Sequence, residues 1–129
     1  MHIAIDAMGG DGCVDLTVPA SLQALLKFPE LSLILIGNEE QIAPLLADTT
    51  AAVKERLSVL HTAEQISDED KPGTGLRNAR QSSMYLATEL VKRGEVQAMV
   101  SAGNTGALLM IGRHLLKTIT GIQKPAIVA

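Results

Sequence analysis

The chain has 129 residues, 47% of them hydrophobic and 19% charged, a length and balance that suit one globular domain with a packed core. A net charge of -3, one Tyr, one Phe and no Trp leave neither a basic face for a phosphodiester backbone nor stacking platforms for bases, so nucleic acid is not an expected partner. Cys13 is the only cysteine, which rules out an internal disulfide or a cysteine-based zinc site and fits a reducing compartment.

The N-terminus, Met1-His2-Ile3-Ala4-Ile5-Asp6, has no basic segment followed by a long apolar run, so no signal peptide is expected and the expected location is the cytoplasm. The most apolar stretches, Leu31 to Ile36 and Ala107 to Ile111, fall far short of the roughly 20 residues of a membrane-spanning helix. Short continuous apolar runs alternate with helical periodicity, as in βα units whose strands are covered on both faces. Strands are predicted at Ile3 to Ile5, Leu31 to Ile36, Leu57 to Leu60 and Val96 to Val100, with another opening at Ala126 to Val128.

The first helix is predicted to begin near Thr17, capped by Asp15 or Thr17, with Pro19 in its first turn, Leu22, Leu25 and Leu26 on one face, and Pro29 ending it. Glu39 to Arg56 reads as helical, with Pro44 early and an interruption around Asp48-Thr49-Thr50. A third helix is expected from about Gly75 to Arg93, with Met84, Ala87, Leu90 and Val91 on its core face, Lys92 and Arg93 at the negative end of its dipole, and Gly94 as a left-handed cap. Before it, Ser67 to Gly75 is polar and rich in breakers, and reads as a loop. The last helix is predicted over Thr105 to Lys117, with Leu108, Ile111 and Leu115 facing the core. Because Lys124-Pro125-Ala126-Ile127-Val128-Ala129 reads as the start of a strand, the sequence is expected to be the leading part of a larger domain.

Two glycine-rich segments follow predicted strands and so share one edge of a parallel sheet, where open α/β sheets bind ligands. In Ser101-Ala102-Gly103-Asn104-Thr105-Gly106 the glycines remove side-chain bulk and the helix start offers free N–H groups to an anion, with Ser101, Asn104 and Thr105 adding neutral donors. The competing reading is a tight turn with a capped helix and no ligand. The other segment, Asp6-Ala7-Met8-Gly9-Gly10-Asp11-Gly12, lacks the dinucleotide fingerprint, and no phosphate-loop motif of NTPases occurs anywhere. No cofactor and no metal are therefore expected. A bare carboxylate repels an oxyanion, so Asp6 and Asp11 are read as holding loop donors in place, with Asp11 bonding within its own turn as the alternative. Arg77 and Arg80, near Ser82 and Ser83, are able to neutralise an anionic substrate or simply to lie on a solvated face. His2, His61 and His114 are too scattered for a metal site, and Cys13 has no histidine placed to activate it.

Ile5-Asp6-Ala7-Met8-Gly9-Gly10-Asp11, Arg77 with Ser82-Ser83-Met84, and Ser101-Ala102-Gly103-Asn104-Thr105-Gly106-Ala107-Leu108, in this order and spacing, resemble the bacterial phosphate acyltransferase family of phospholipid synthesis over the whole chain. Val14 departs from the proline that relatives commonly place after Met-Gly-Gly-Asp. The resemblance implies a three-layer Rossmann-like α/β sandwich with a mostly parallel sheet, similar to the isocitrate dehydrogenase and phosphotransacetylase fold, of which this chain is the N-terminal part. It implies transfer of a long-chain acyl group from acyl carrier protein to inorganic phosphate, giving acyl phosphate for glycerol-3-phosphate acylation. A cytosolic homodimer follows, with peripheral membrane association and hand-off to a membrane glycerol-3-phosphate acyltransferase. The catalytic candidates are Asn104, Asp6 and Asp11. Contacts to phosphate or thioester are assigned to Gly9, Gly10, Arg77, Ser82, Ser83, Ser101, Gly103, Thr105 and Gly106. Acetyl transfer from coenzyme A, or phosphate binding without turnover, are the alternative activities.

Overall fold

The computed structural model describes residues 1–66 and 79–128; the predicted loop Ser67 to Gly75 and the predicted site residue Arg77 lie outside the described residues. Four strands, β1 (His2–Asp6), β2 (Ser32–Gly37), β3 (Leu57–His61) and β4 (Ala98–Val100), form one all-parallel sheet in the order β3-β2-β1-β4. The chain first steps outward from β1 to β3, then returns to place β4 on the free side of β1, where Ile3 to Ile5 pair with Ala98 to Val100.

Alternation along the strands separates two layers, because successive side chains of a strand point to opposite faces. Ile3, Ile5, Leu33 and Leu35 pack with α1 (Cys13–Lys27), α2 (Glu39–Leu45) and α3 (Ala51–Lys54). Ala4, Ile34, Ile36 and Met99 pack instead with α4 (Ser83–Arg93), and α4 in turn holds α5 (Thr105–Leu116) through Met84, Tyr85, Ala107, Ile111 and Leu115. The result is the helix–sheet–helix sandwich expected from the sequence. Both faces are best covered at β2, where Leu33, Leu35 and Ile36 are all buried. On β4, Met99 faces α4 while Val100 stays 53% exposed on the opposite side.

Several boundaries differ from the sequence expectation. Helix α1 starts at Cys13, four residues before Thr17, and Gly12 at its N-cap position makes no side-chain capping bond. Thr17 is thus interior, and its hydroxyl donates to the carbonyls of Ala7 (2.6 Å) and Cys13 (2.9 Å). Pro19 falls inside the helix rather than in its first turn. The interruption predicted near Asp48 separates α2 from α3 as expected. Helix α4 begins at Ser83 rather than near Gly75, because Ser82 caps it, accepting from the N–H of Tyr85 at 3.2 Å after a 3₁₀ turn at Ala79–Gln81. Gly94 ends α4 in the left-handed conformation (φ 73°), as predicted. No strand forms at Ala126 to Val128. Ile127 and Val128 are 60% and 94% exposed, without the ladder bonds or burial that would offset the ordering of an extended segment.

Arg56, between α3 and β3, donates to the carbonyls of Leu25 (2.8 Å), Leu31 (2.9 Å) and Phe28 (3.1 Å), and so ties the end of α1 to the start of β2. Arg56→Ala is expected to lower unfolding stability in urea by about 1.5–3 kcal/mol, because it removes a charged donor from the part-buried carbonyls of Leu25 and Leu31. Arg56→Lys should recover less than half of that, since an ammonium does not reproduce the guanidinium fork. A loss below about 1 kcal/mol for Arg56→Ala would contradict this role.

Candidate active site at the β1 and β4 strand ends

The order reversal around β1 is a topological switch point: the chain leaves β1 toward α1 on one layer and leaves β4 toward α5 on the other, which opens a crevice between the two departing loops. Both glycine-rich segments lie here. Asp6, the last residue of β1, is 2% exposed, and its Oδ2 accepts a hydrogen bond from Ser101 Oγ at 2.6 Å. Ser101 Oγ in turn accepts from the N–H of Gly103 at 3.1 Å. A side-chain relay thus runs from one strand end to the turn of the other.

Gly9 and Gly10 are required by the contact between the loops. A Cβ on Gly9 would sit 2.6 Å from Asp6 Oδ2, 2.9 Å from the Gly103 nitrogen and 3.0 Å from Ser101 Oγ. One on Gly10 would sit 2.9 Å from the Ala102 carbonyl oxygen, and Gly10 also has φ +83°. At Gly9 and Gly10 the missing side chains let two backbones meet. On the far side of Gly103, an added Cβ would lie 3.1 Å from Met84 Cε and 3.3 Å from Gly9 Cα, so the start of α4 backs the same turn. Cys13 takes φ +41°, sparsely populated for a residue with a side chain, and its thiol donates to the Gly10 carbonyl at 3.3 Å. Thr17, bonded to the Ala7 carbonyl, clamps the first loop from below. Its hydroxyl is the contributor that sequence reading missed, because the same residue type also fits a helix cap.

Asn104 occupies the N-cap of α5, its Oδ1 accepting from the N–H of Ala107 at 2.9 Å. Thr105 and Gly106 follow in the first turn, where backbone N–H groups have no intrahelical acceptor and the dipole favours negative charge. The other predicted contacts are placed differently. Ser82 and Ser83 are each 1% exposed; Ser82 Oγ donates to the Ala79 carbonyl at 2.7 Å while capping α4, and the N–H of Ser83 donates to the Glu64 carbonyl. Their burial under the turn gives them a supporting position rather than an open one. Asp11 is exposed and makes no hydrogen bond among the described residues, so Asp6 alone of the two acids holds a loop donor. Arg80 is exposed on the 3₁₀ turn. Beside the loops, a cleft of about 280 Å³ opens on Asp6 and Ala102 and is otherwise mostly apolar, with Ile3, Ile5, Leu33 and Val100 in its walls. Among the described residues no three His, Cys, Asp or Glu side chains gather as a metal centre requires, and no helix is long and apolar enough to cross a membrane.

A protein of Shewanella woodyi named phosphate acyltransferase is 49% identical over 129 residues, which is 100% of this chain and 38% of that protein. The phosphate acyltransferase of Shewanella pealeana is 50% identical over the same span and share, and that of Vibrio campbellii is 47% identical over 127 residues, 98% of this chain and 37% of the relative. The chain therefore spans somewhat more than a third of the length of these curated relatives. A family profile described as "Fatty acid synthesis protein" matches residues 1–129, through both strand-end loops and every strand between them, and the chain belongs to that family.

Proposed function

We propose that this chain carries the phosphate site of an enzyme that transfers a long-chain acyl group from acyl carrier protein to inorganic phosphate, as the N-terminal part of a larger α/β domain. The observation that carries the reading is the Asp6–Ser101–Gly103 relay, which fixes an anion-favouring helix start against a second glycine loop at the sheet's switch point. The names of the relatives support phosphate as the acceptor. The acyl carrier protein donor, a cytosolic homodimer, and hand-off at the membrane surface to a glycerol-3-phosphate acyltransferase complete the proposal and rest on the family resemblance.

The chemistry asks little covalent work of the protein. Phosphate is itself the nucleophile: its oxygen attacks the thioester carbonyl, the C–S bond breaks, and the thiolate leaves and takes up a proton, needing little acid assistance for a thiol with a pKa near 8.5. What remains is positioning and charge stabilisation. Thr105 and Gly106 supply N–H groups to phosphate at the start of α5, Asn104 fixes that start, and the loop amides stabilise the tetrahedral oxyanion. The mostly apolar cleft beside Asp6 and Ala102 offers a surface for the acyl chain.

Two outcomes test the reading in the full-length enzyme. Asn104→Ala, assayed for acyl phosphate formation, is expected to raise the apparent KM for phosphate or lower kcat by about tenfold or more, the effect of loosening one preorganised donor set; unchanged values of both would refute a role for this loop. Gly9→Ala forces the loops apart, and should cut kcat/KM by about 100-fold through misplacement alone. Retained activity in that variant would show that close contact of the loops is not needed.

A further inference from the structure

We propose that the exposed face of α5 docks an acidic surface of the acyl carrier protein, held by Arg113 and Lys117 while its thioester reaches the helix start. The inference deepens the proposed function and rests on its choice of a carrier-bound donor.

Helix α5 has two sides. Ala107, Ile111 and Leu115, at i, i+4 and i+8, are buried in the cluster that holds α5 to α4. Met110, Arg113, His114 and Lys117, at i, i+3, i+4 and i+7, share another face, and all four are exposed. They surround a hollow of about 420 Å³ completed by Thr118 and Gln123.

Charge is segregated toward the same end of the chain. The 14 Asp and Glu outnumber the 11 Lys and Arg, yet every acid precedes residue 96, and Arg113, Lys117 and Lys124 are the Lys and Arg that follow. Among the described residues neither Arg113 nor Lys117 forms an ion pair, the ion pairs there being those of Arg93 with Glu89 and Glu95. The helix dipole favours basic residues in a last turn, but it does not require the sequence around them to be free of acids. A cationic rim without neutralising partners steers and registers an acidic surface.

The position of the hollow fits a tethered substrate. Helix α5 is 12 residues long, about 18 Å from end to end. Gly106 in its first turn lies on the same face as Met110, Arg113 and Lys117, at i, i+4, i+7 and i+11, so one face joins the proposed phosphate site to the cationic hollow. That span is comparable to the reach of an extended phosphopantetheine arm, and a carrier seated on Arg113 and Lys117 delivers its thioester to the start of α5. Cations around a hollow suit a projecting Asp or Glu of a protein. A lipid surface, which the exposed Ile119 and Ile122 beyond the helix would meet, is the alternative that the experiment separates.

Acyl phosphate formation by the full-length enzyme is measured against the concentration of acyl carrier protein thioester, for Arg113→Glu with Lys117→Glu and for the milder Arg113→Gln with Lys117→Gln. The KM for the carrier thioester should rise about tenfold or more on charge reversal and by less on neutralisation, while kcat and the KM for phosphate change by less than about twofold. Added salt should raise the wild-type KM for the carrier, and do so less in both variants. An unchanged carrier KM, an equal loss in kcat or in the KM for phosphate, an altered oligomeric state on size exclusion, or lost binding to phosphatidylglycerol vesicles with the carrier KM intact would each overturn the proposal. If the reversed variant does not fold, the neutralised variant and the salt dependence of the wild type decide. A wild-type enzyme that forms acyl phosphate only from a coenzyme A thioester, or from no thioester, would overturn the functional reading on which the proposal rests.

Discussion

One hydrogen bond organises the site: Ser101 Oγ to Asp6 Oδ2, 2.6 Å long, between residues 95 positions apart in sequence. It requires β4 to lie directly beside β1, with Ile5 opposite Val100, so that the residue after each pairing faces its counterpart. Once that register is set, the rest is constrained by volume. Gly9 must lack a Cβ because that atom would crowd both oxygens of the bond, 2.6 Å from Asp6 Oδ2 and 3.0 Å from Ser101 Oγ, and Gly10 must lack one because it would sit 2.9 Å from the Ala102 carbonyl oxygen. Interior packing leaves no slack for an added methyl at such a contact.

Topology then turns a contact into a crevice. Because β1 sends its loop to α1 in one layer and β4 sends its loop to α5 in the other, the two loops touch at their roots and diverge above. The crevice has a polar floor, Asp6 with Ser101, a helix start on one side, and an apolar cleft alongside. In the proposed function the helix start takes the phosphate and the apolar cleft the acyl chain. The layers themselves rest on strand alternation, with Ile3, Ile5, Leu33 and Leu35 facing α1 to α3 and Ala4, Ile34 and Ile36 facing α4.

Much of the architecture was legible in sequence because apolar periodicity is a local signal. The four strands, the break near Asp48, the Gly94 cap and the Asn104 loop opening α5 all follow from runs and punctuation a few residues long. Strand order is not local, so the adjacency of β1 and β4 was inferred only as a shared edge. Helix starts are less legible: α1 begins after Gly12 with no side-chain cap to mark it, and α4 begins only at the Ser82 cap although apolar periodicity alone suggests an earlier start. Thr17 illustrates the confusion, for a hydroxyl suited to capping instead anchors the Ala7 carbonyl. Ala126 to Val128 has strand composition, but composition provides no partner strand. Among the site residues, Asp6 and Asp11 look equivalent in the sequence; burial separates them completely.

In the proposed function the two strand-end loops form a single oxyanion site. An amide-resolved NMR titration of the full-length protein with inorganic phosphate tests it most directly. The backbone signals of Gly9, Gly103, Thr105 and Gly106 are expected to shift together along one saturation curve while β3 stays unmoved. Shifts confined to one loop, or lying only around the exposed end of α5 near Arg113 and Lys117, would contradict it.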